Sequence, residues 1–138
     1  MEKDPNGLNQ HEPGAKLDDG KIEASLLKDF GLALMEIGKV LTYGRKKYSA
    51  SGWTKVKDGY QRYSDAMWRH LLKSNYSETD EESGLMHDAQ IAWNSLARLE
   101  MKLRERKNDV EWHGDVEQVN IKEAMDIYGE IKWKEREN

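Results

Sequence analysis

Residues 83–107 read SGLMHDAQIAWNSLARLEMKLRERK. Met86, Ala89, Trp93, Leu96 and Leu103 recur at helical spacing, which predicts one long helix with an apolar face. Beside that face, His87, Gln90 and Asn94 follow a three-then-four rhythm and make a polar seam. Upstream, Tyr63, Met67, Leu71 and Leu72 give the same period and predict a second helix from Tyr60 to about Lys73. Further back, Leu26, Leu27, Phe30, Leu34, Ile37, Val40 and Leu41 predict a first helix that begins after Ser25 and stops at Gly44. Gly31 and Gly38 within it are expected where helices approach closely. No strand pairing is evident. The fold class is therefore all-α, a small helical bundle.

Outward from these helices, the composition changes. Residues 1–24 hold both prolines and three glycines but few large apolar side chains, so they read as an extended arm. The polar break NDVEWHGD at 108–115 separates the bundle from a last segment in which Val119, Ala124, Ile127, Tyr128 and Ile131 predict a C-terminal helix. The organisation is an arm at 1–24, a helical core at 25–110 and a C-terminal helical segment at 111–138.

With 138 residues, 37% hydrophobic, the chain can bury only a modest core alone, which favours self-association. Twenty-six acids against 22 bases give a net charge of −4, unlike an electrostatic nucleic-acid binder. The absence of cysteine removes disulfides, thiolate nucleophiles and cysteine-based zinc sites. No signal-like stretch opens the chain and no run of about 18 apolar residues occurs, so neither export nor membrane spanning is expected. A cytoplasmic protein is expected.

Four charged constellations carry the candidate chemistry. Arg62, Asp65 and Arg69 share one face of the second helix, with His70 offset from them. Glu78, Asp80, Glu81 and Glu82 precede the third helix, where acids serve as first-turn residues or caps; they also suit a hard cation. Glu36, alone among apolar neighbours in the first helix, can add a carboxylate from across the bundle. The run GRKKYSASGWTKVKDG at 44–59 combines Lys46 and Lys47, which suit phosphate, with Tyr48 and Trp53, which suit a stacked base. No Walker A, G-x-G-x-x-G, H-E-x-x-H or serine-triad motif is present.

Four blocks, GAKLDDGKI (14–22), LMEIGKVLTYGRKKYSASGW (34–53), RYSDAMWRHLL (62–72) and DEESGLMHDAQIAWNSLARLE (80–100), resemble in order and spacing a phage-associated family, the dATP/dGTP diphosphohydrolase N-terminal domain. That family is associated with all-α, MazG-like nucleotide pyrophosphohydrolases. The resemblance covers about residues 14–103 and extends to Lys16 and Lys21 in the arm. It departs from the family at Gln90, where a second histidine is usual, and at Ser77-Glu78, where Gly-Glu is usual. Glu36 is followed by Lys39, so the MazG-like E-x-x-E is absent.

The resemblance implies hydrolysis of purine dNTPs to a monophosphate and pyrophosphate. Mg²⁺ or Mn²⁺ would sit on Glu36, Asp80 and Glu82, with Asp65 assisting. Lys16, Lys21, Lys46, Lys47, Arg62 and Arg69 would hold the phosphates. His70 or His87 would position or deprotonate water, Gln90 or Asn94 would read the base edge, and Tyr48 or Trp53 would stack on it. The partner expected is a nucleoside triphosphate, and the working unit a homo-oligomer, dimer or tetramer. The departures motivate a rival expectation, a catalytically inactive nucleotide-binding or sequestering protein.

Overall fold

The computed structural model describes residues 1–108 and, beyond them, 122, 125, 126, 129 and 130. Three α-helices carry the fold: α1 Gly31–Lys47, α2 Gly59–Lys73 and α3 His87–Asn108. Two short 3₁₀ segments, Ala24–Phe30 and Gly52–Lys55, precede α1 and α2. Among the described residues there is no β-strand, only isolated bridges. The molecule is all-α. None of its described helices is long and apolar enough to cross a membrane.

Contacts divide the chain into Met1–Leu27 with Val119–Asn138, and Lys28–Gln118. In the first unit Asp4 organises the turns. Its Oδ1 accepts from the amides of Asn6 (2.7 Å) and Leu8 (3.4 Å), and its Oδ2 from Lys16 (2.8 Å). Ile22 N–H donates to the Gly129 carbonyl at 2.8 Å, and Lys21 forms an antiparallel bridge with Glu130. Lys122 and Asp126 pair at i,i+4 in a helical turn. Most of the predicted C-terminal helix lies outside the described residues.

In the second unit α3 is the common partner, packing along α2 and against α1. Trp53, Tyr63 and Trp93 meet edge to face, with ring centroids 5.2–6.3 Å apart. The Tyr63 hydroxyl donates to the Trp53 carbonyl at 3.0 Å. This aromatic knot ties the 3₁₀ turn before α2 to both α2 and α3, an arrangement that adds about 0.5–1.5 kcal/mol per pair beyond burial. Burial pushes the Tyr63 phenol up to about 12, against the opposing charge of Arg62.

Three local readings are corrected. Gly44 does not stop α1, which runs on to Lys47 and ends with Arg45, Lys46 and Lys47 in its last turn. Cations there complement the partial negative charge of a helix C-terminus, which offsets the low propensity of glycine. Gly31 and Gly38 mark no close approach, since a Cβ at either would meet open space. The third helix starts at His87, not Ser83, because residues 79–86 close into a bridged loop.

The core face of α3 also differs from the apolar stripe. His87, Asn94, Ala97, Met101 and Arg104 are buried, and they continue the rhythm of the polar seam. Leu96 and Leu99 are exposed. In α1 only Val40 is buried, while Leu34 and Leu41 are exposed. The period was right and the phase partly so: Ala89 of the expected stripe is buried and Trp93 packs in the aromatic knot, while Leu96 faces out and the polar seam turns inward.

Candidate functional site

The site begins with a loop that folds on its own backbone. His87 N–H donates to the Glu78 carbonyl (2.9 Å), Asp80 N–H to Leu85 (2.8 Å) and Gly84 N–H to Asp80 (2.7 Å). Asp80 Oδ2 accepts from both the amide (3.0 Å) and the hydroxyl (2.9 Å) of Ser83. Gly84 sits at φ +71°, a left-handed conformation that glycine adopts without a Cβ penalty. The loop thereby holds Asp80 at one end and His87, the first residue of α3, at the other.

Opposite them stands His70, near the C-terminal end of α2. Its Nδ1 lies 2.9 Å from His87 Nδ1. The other ring nitrogen of His87 lies 3.1 Å from Ser77 Oγ, and Ser77 Oγ donates to the Thr79 carbonyl, also at 3.1 Å. Among the described residues, His70, Asp80 and His87 are the group whose ligand-type atoms converge, all within 4.8 Å of one another. His87 is 2% exposed, and His70 and Asp80 are half-buried.

Burial and the charge of His87 hold the His70 imidazole below its ordinary value, against the opposing pull of Asp80. For Asp80, burial pushes upward. The two hydrogen bonds from Ser83 and the charges of His70 and Lys73 outweigh it, so the carboxyl lies below its usual range. An ionised carboxylate thus faces two imidazoles, one of them biased toward neutrality. Beside them opens a cleft of about 250 Å³ lined by Lys73, Tyr76, Ser77, Thr79, Asp80, Glu81 and His87.

The remaining candidates fall elsewhere. Glu36 pairs with Lys39, and Glu82 pairs with Lys47 at 2.7 Å, so Glu36, Asp80 and Glu82 do not converge as one ligand set. The Glu82 hydrogen bond raises the Lys47 ammonium above its ordinary value, and the hydroxyl of Tyr43 also donates to Glu82. Lys46 and Tyr48 are exposed at the end of α1, the latter with Lys47 Nζ 5.3 Å from its ring centroid. Trp53 is not a free stacking face. Its ring belongs to the aromatic knot, with the Arg104 guanidinium 5.7 Å from its centroid.

On α2, Arg62, Asp65 and Arg69 are exposed, and Asp65 accepts from Gln61 (3.1 Å) rather than from either arginine. On α3, Gln90 is half-buried and its backbone carbonyl accepts from the Asn94 side-chain amide (2.8 Å), while Asn94 Oδ1 is buried with no hydrogen-bond partner among the described residues. Lys16 and Lys21 belong to the first unit, where Lys21 pairs with Glu2 at 2.6 Å. Sequence reasoning had not singled out Lys73 or the role of Ser77. Lys73 stands one helical turn beyond His70 and was legible from that spacing. Ser77 had been marked only as a departure from the family's usual glycine, because its contact with His87 depends on how the loop closes.

Every residue of the cleft lies inside the segment that a known family describes. No curated protein and no solved structure matches the chain. A family model does so over residues 11–111, and the chain therefore belongs to the family described as dATP/dGTP diphosphohydrolase, N-terminal.

Proposed function

We propose that this chain is a divalent-cation-dependent nucleotide diphosphohydrolase. It cleaves purine deoxynucleoside triphosphates, dATP or dGTP, to the monophosphate and pyrophosphate. The observation that carries this reading is the convergence of His70, Asp80 and His87 with one another, beside a cleft that Asp80 and His87 line, within the family-matched segment. Water adds to the α-phosphorus, the α–β bridging bond breaks, and pyrophosphate leaves with the bond electrons. A bound cation supplies positive charge to the phosphate chain and lowers the pKa of water. Lys73, on the cleft wall, neutralises charge that develops on the leaving pyrophosphate. Glu81, the second carboxylate of the cleft, takes the proton of the attacking water.

The expected ligand trio of Glu36, Asp80 and Glu82 does not fit this role, because two of its members are held by lysines. Asp80 alone carries over from it. Tyr48, with an exposed ring at the end of α1, keeps its proposed part in stacking on the base.

Purified protein incubated with each dNTP and either Mg²⁺ or Mn²⁺ tests the reading directly. Pyrophosphate and dAMP or dGMP are the expected products, and Asp80→Asn should lower turnover by at least 100-fold. Calorimetry showing nucleotide binding without turnover of any dNTP would replace the enzyme by a sequestering protein. The lost E-x-x-E pattern is what keeps that second reading in view.

A further inference from the structure

We infer that His70, Asp80 and His87 form a three-ligand site for a divalent first-row transition ion, with open positions toward the cleft. Three independent features of the cluster support it.

The first is the spacing of the donors. With metal–nitrogen bonds of about 2.0–2.1 Å, two nitrogens 2.9 Å apart subtend about 90° at a common ion. That angle is the cis edge of a six-coordinate shell. Two imidazoles and a carboxylate on one face of such a shell leave its opposite positions for water or phosphate oxygen. The third donor lies within 4.8 Å of the others, so a small rotation of the Asp80 side chain completes the set.

The second is the hydrogen-bond chain that fixes the His87 tautomer. Ser77 Oγ uses its own hydrogen on the Thr79 carbonyl, so toward His87 it must accept. His87 Nε2 therefore carries the proton, and in the neutral ring Nδ1 is left as a bare lone pair aimed at His70. Without metal, His70 Nδ1–H donates to that lone pair. With metal, His70 moves its proton to Nε2, and both Nδ1 atoms become ligands with no net change in charge. Orientation of a ligating histidine through its other nitrogen is the usual supporting arrangement of metal sites.

The third is the division of labour at Asp80. Ser83 holds Oδ2 with two hydrogen bonds, while Oδ1 accepts none among the described residues and stands available as a single-oxygen ligand. The donor set also selects the ion. Imidazole nitrogen suits Mn²⁺, Fe²⁺, Co²⁺ and Zn²⁺, whereas Mg²⁺ takes oxygen donors and keeps its waters. The use of this ion in catalysis rests on the diphosphohydrolase reading; its binding does not.

Titration of the metal-free full-length chain with Co²⁺, Mn²⁺, Zn²⁺ and Mg²⁺ tests the site, with calorimetry for all four and ligand-field absorption for Co²⁺. One transition ion should bind per chain, and a tenfold excess of Mg²⁺ should not displace it. His70→Gln and Asp80→Asn should abolish binding. Ser77→Ala should weaken it by roughly 10–100-fold with the fold intact by circular dichroism. Because His87 is buried and its variant can fail to fold, the half-buried His70 and the exposed Ser77 decide the matter. Failure of wild-type protein to bind Mn²⁺, Co²⁺ or Zn²⁺, or unaltered binding in His70→Gln, overturns the inference. Metal bound through these residues without dNTP turnover leaves the site standing and removes the enzyme. Turnover with Mg²⁺ that survives His70→Gln does the reverse.

Discussion

Asp4 shows how one carboxylate can order a segment with no helix of its own. Its two oxygens accept from three backbone amides, and the Lys16 amide, ahead of those of Asn6 and Leu8, holds its carboxyl below the ordinary 3.8 against the opposing effect of burial. A carboxyl that is more acidic folded than unfolded means the unfolded chain binds more protons at low pH. Its stabilisation is complete above about pH 3.8 and disappears as pH falls through the lower folded value. Amide exchange at Asn6, Leu8 and Lys16 should therefore accelerate on acidification in the wild type. In Asp4→Asn it should be fast already at neutral pH; slow exchange there would deny Asp4 this role. At this scale the sequence was partly legible. His70, Asp80 and His87 had all been marked, but in separate roles, as base and ligand. What the sequence hid was their meeting, which depends on a loop whose closure is written in backbone hydrogen bonds rather than in side-chain spacing.

The element that positions the site is the 79–86 loop together with α3. Gly84 is its one left-handed residue within the tight turn, and a Cβ there would meet open space, so the cost of a side chain is purely conformational. Gly84→Ala should destabilise by about 1–2 kcal/mol. The urea midpoint would report it, and the same variant should weaken metal binding through the displaced Asp80. Unchanged stability would mean that the loop has another way to close. The helices were legible because hydrophobic period survives any choice of partner. Their inward face was not. For α3 the sequence offered two parallel stripes, and apolar burial favours the one through Leu96 and Leu103. The folded chain buries Ala89 of that stripe but exposes Leu96, and takes inward His87, Asn94, Ala97, Met101 and Arg104, with the site at their head. Polar side chains inside and large apolar ones outside both upset the simplest amphipathic rule, and the spacing of residues in one chain does not say which stripe wins.

Across the whole molecule, large apolar side chains remain uncovered. Leu32 is 89% exposed, Met35 66% and Phe30 63%, all at the start of α1. Patches of this kind on a small domain mark contact surfaces, and the short chain gains most by pairing with its own copy. Light scattering should give a mass of at least two chains of 16.0 kDa each. The double variant Leu32→Glu, Met35→Glu should reduce it to one chain with helical circular dichroism preserved. A wild-type protein that scatters as a single chain at all concentrations would refute self-association through α1. The pairing of Ile22 with Gly129 has a different kind of consequence, one of time. The contacts of α2 with α3 join neighbours in sequence and close short loops, so they form early. Bringing together residues about a hundred positions apart pays a larger loop-closure entropy, and an already folded helical body between them shortens the effective search. The Ile22–Gly129 pairing should thus be the last part to assemble and the first to open, and a nascent chain emerging in order would bring His70, Asp80 and His87 together before Ile22 could meet Gly129.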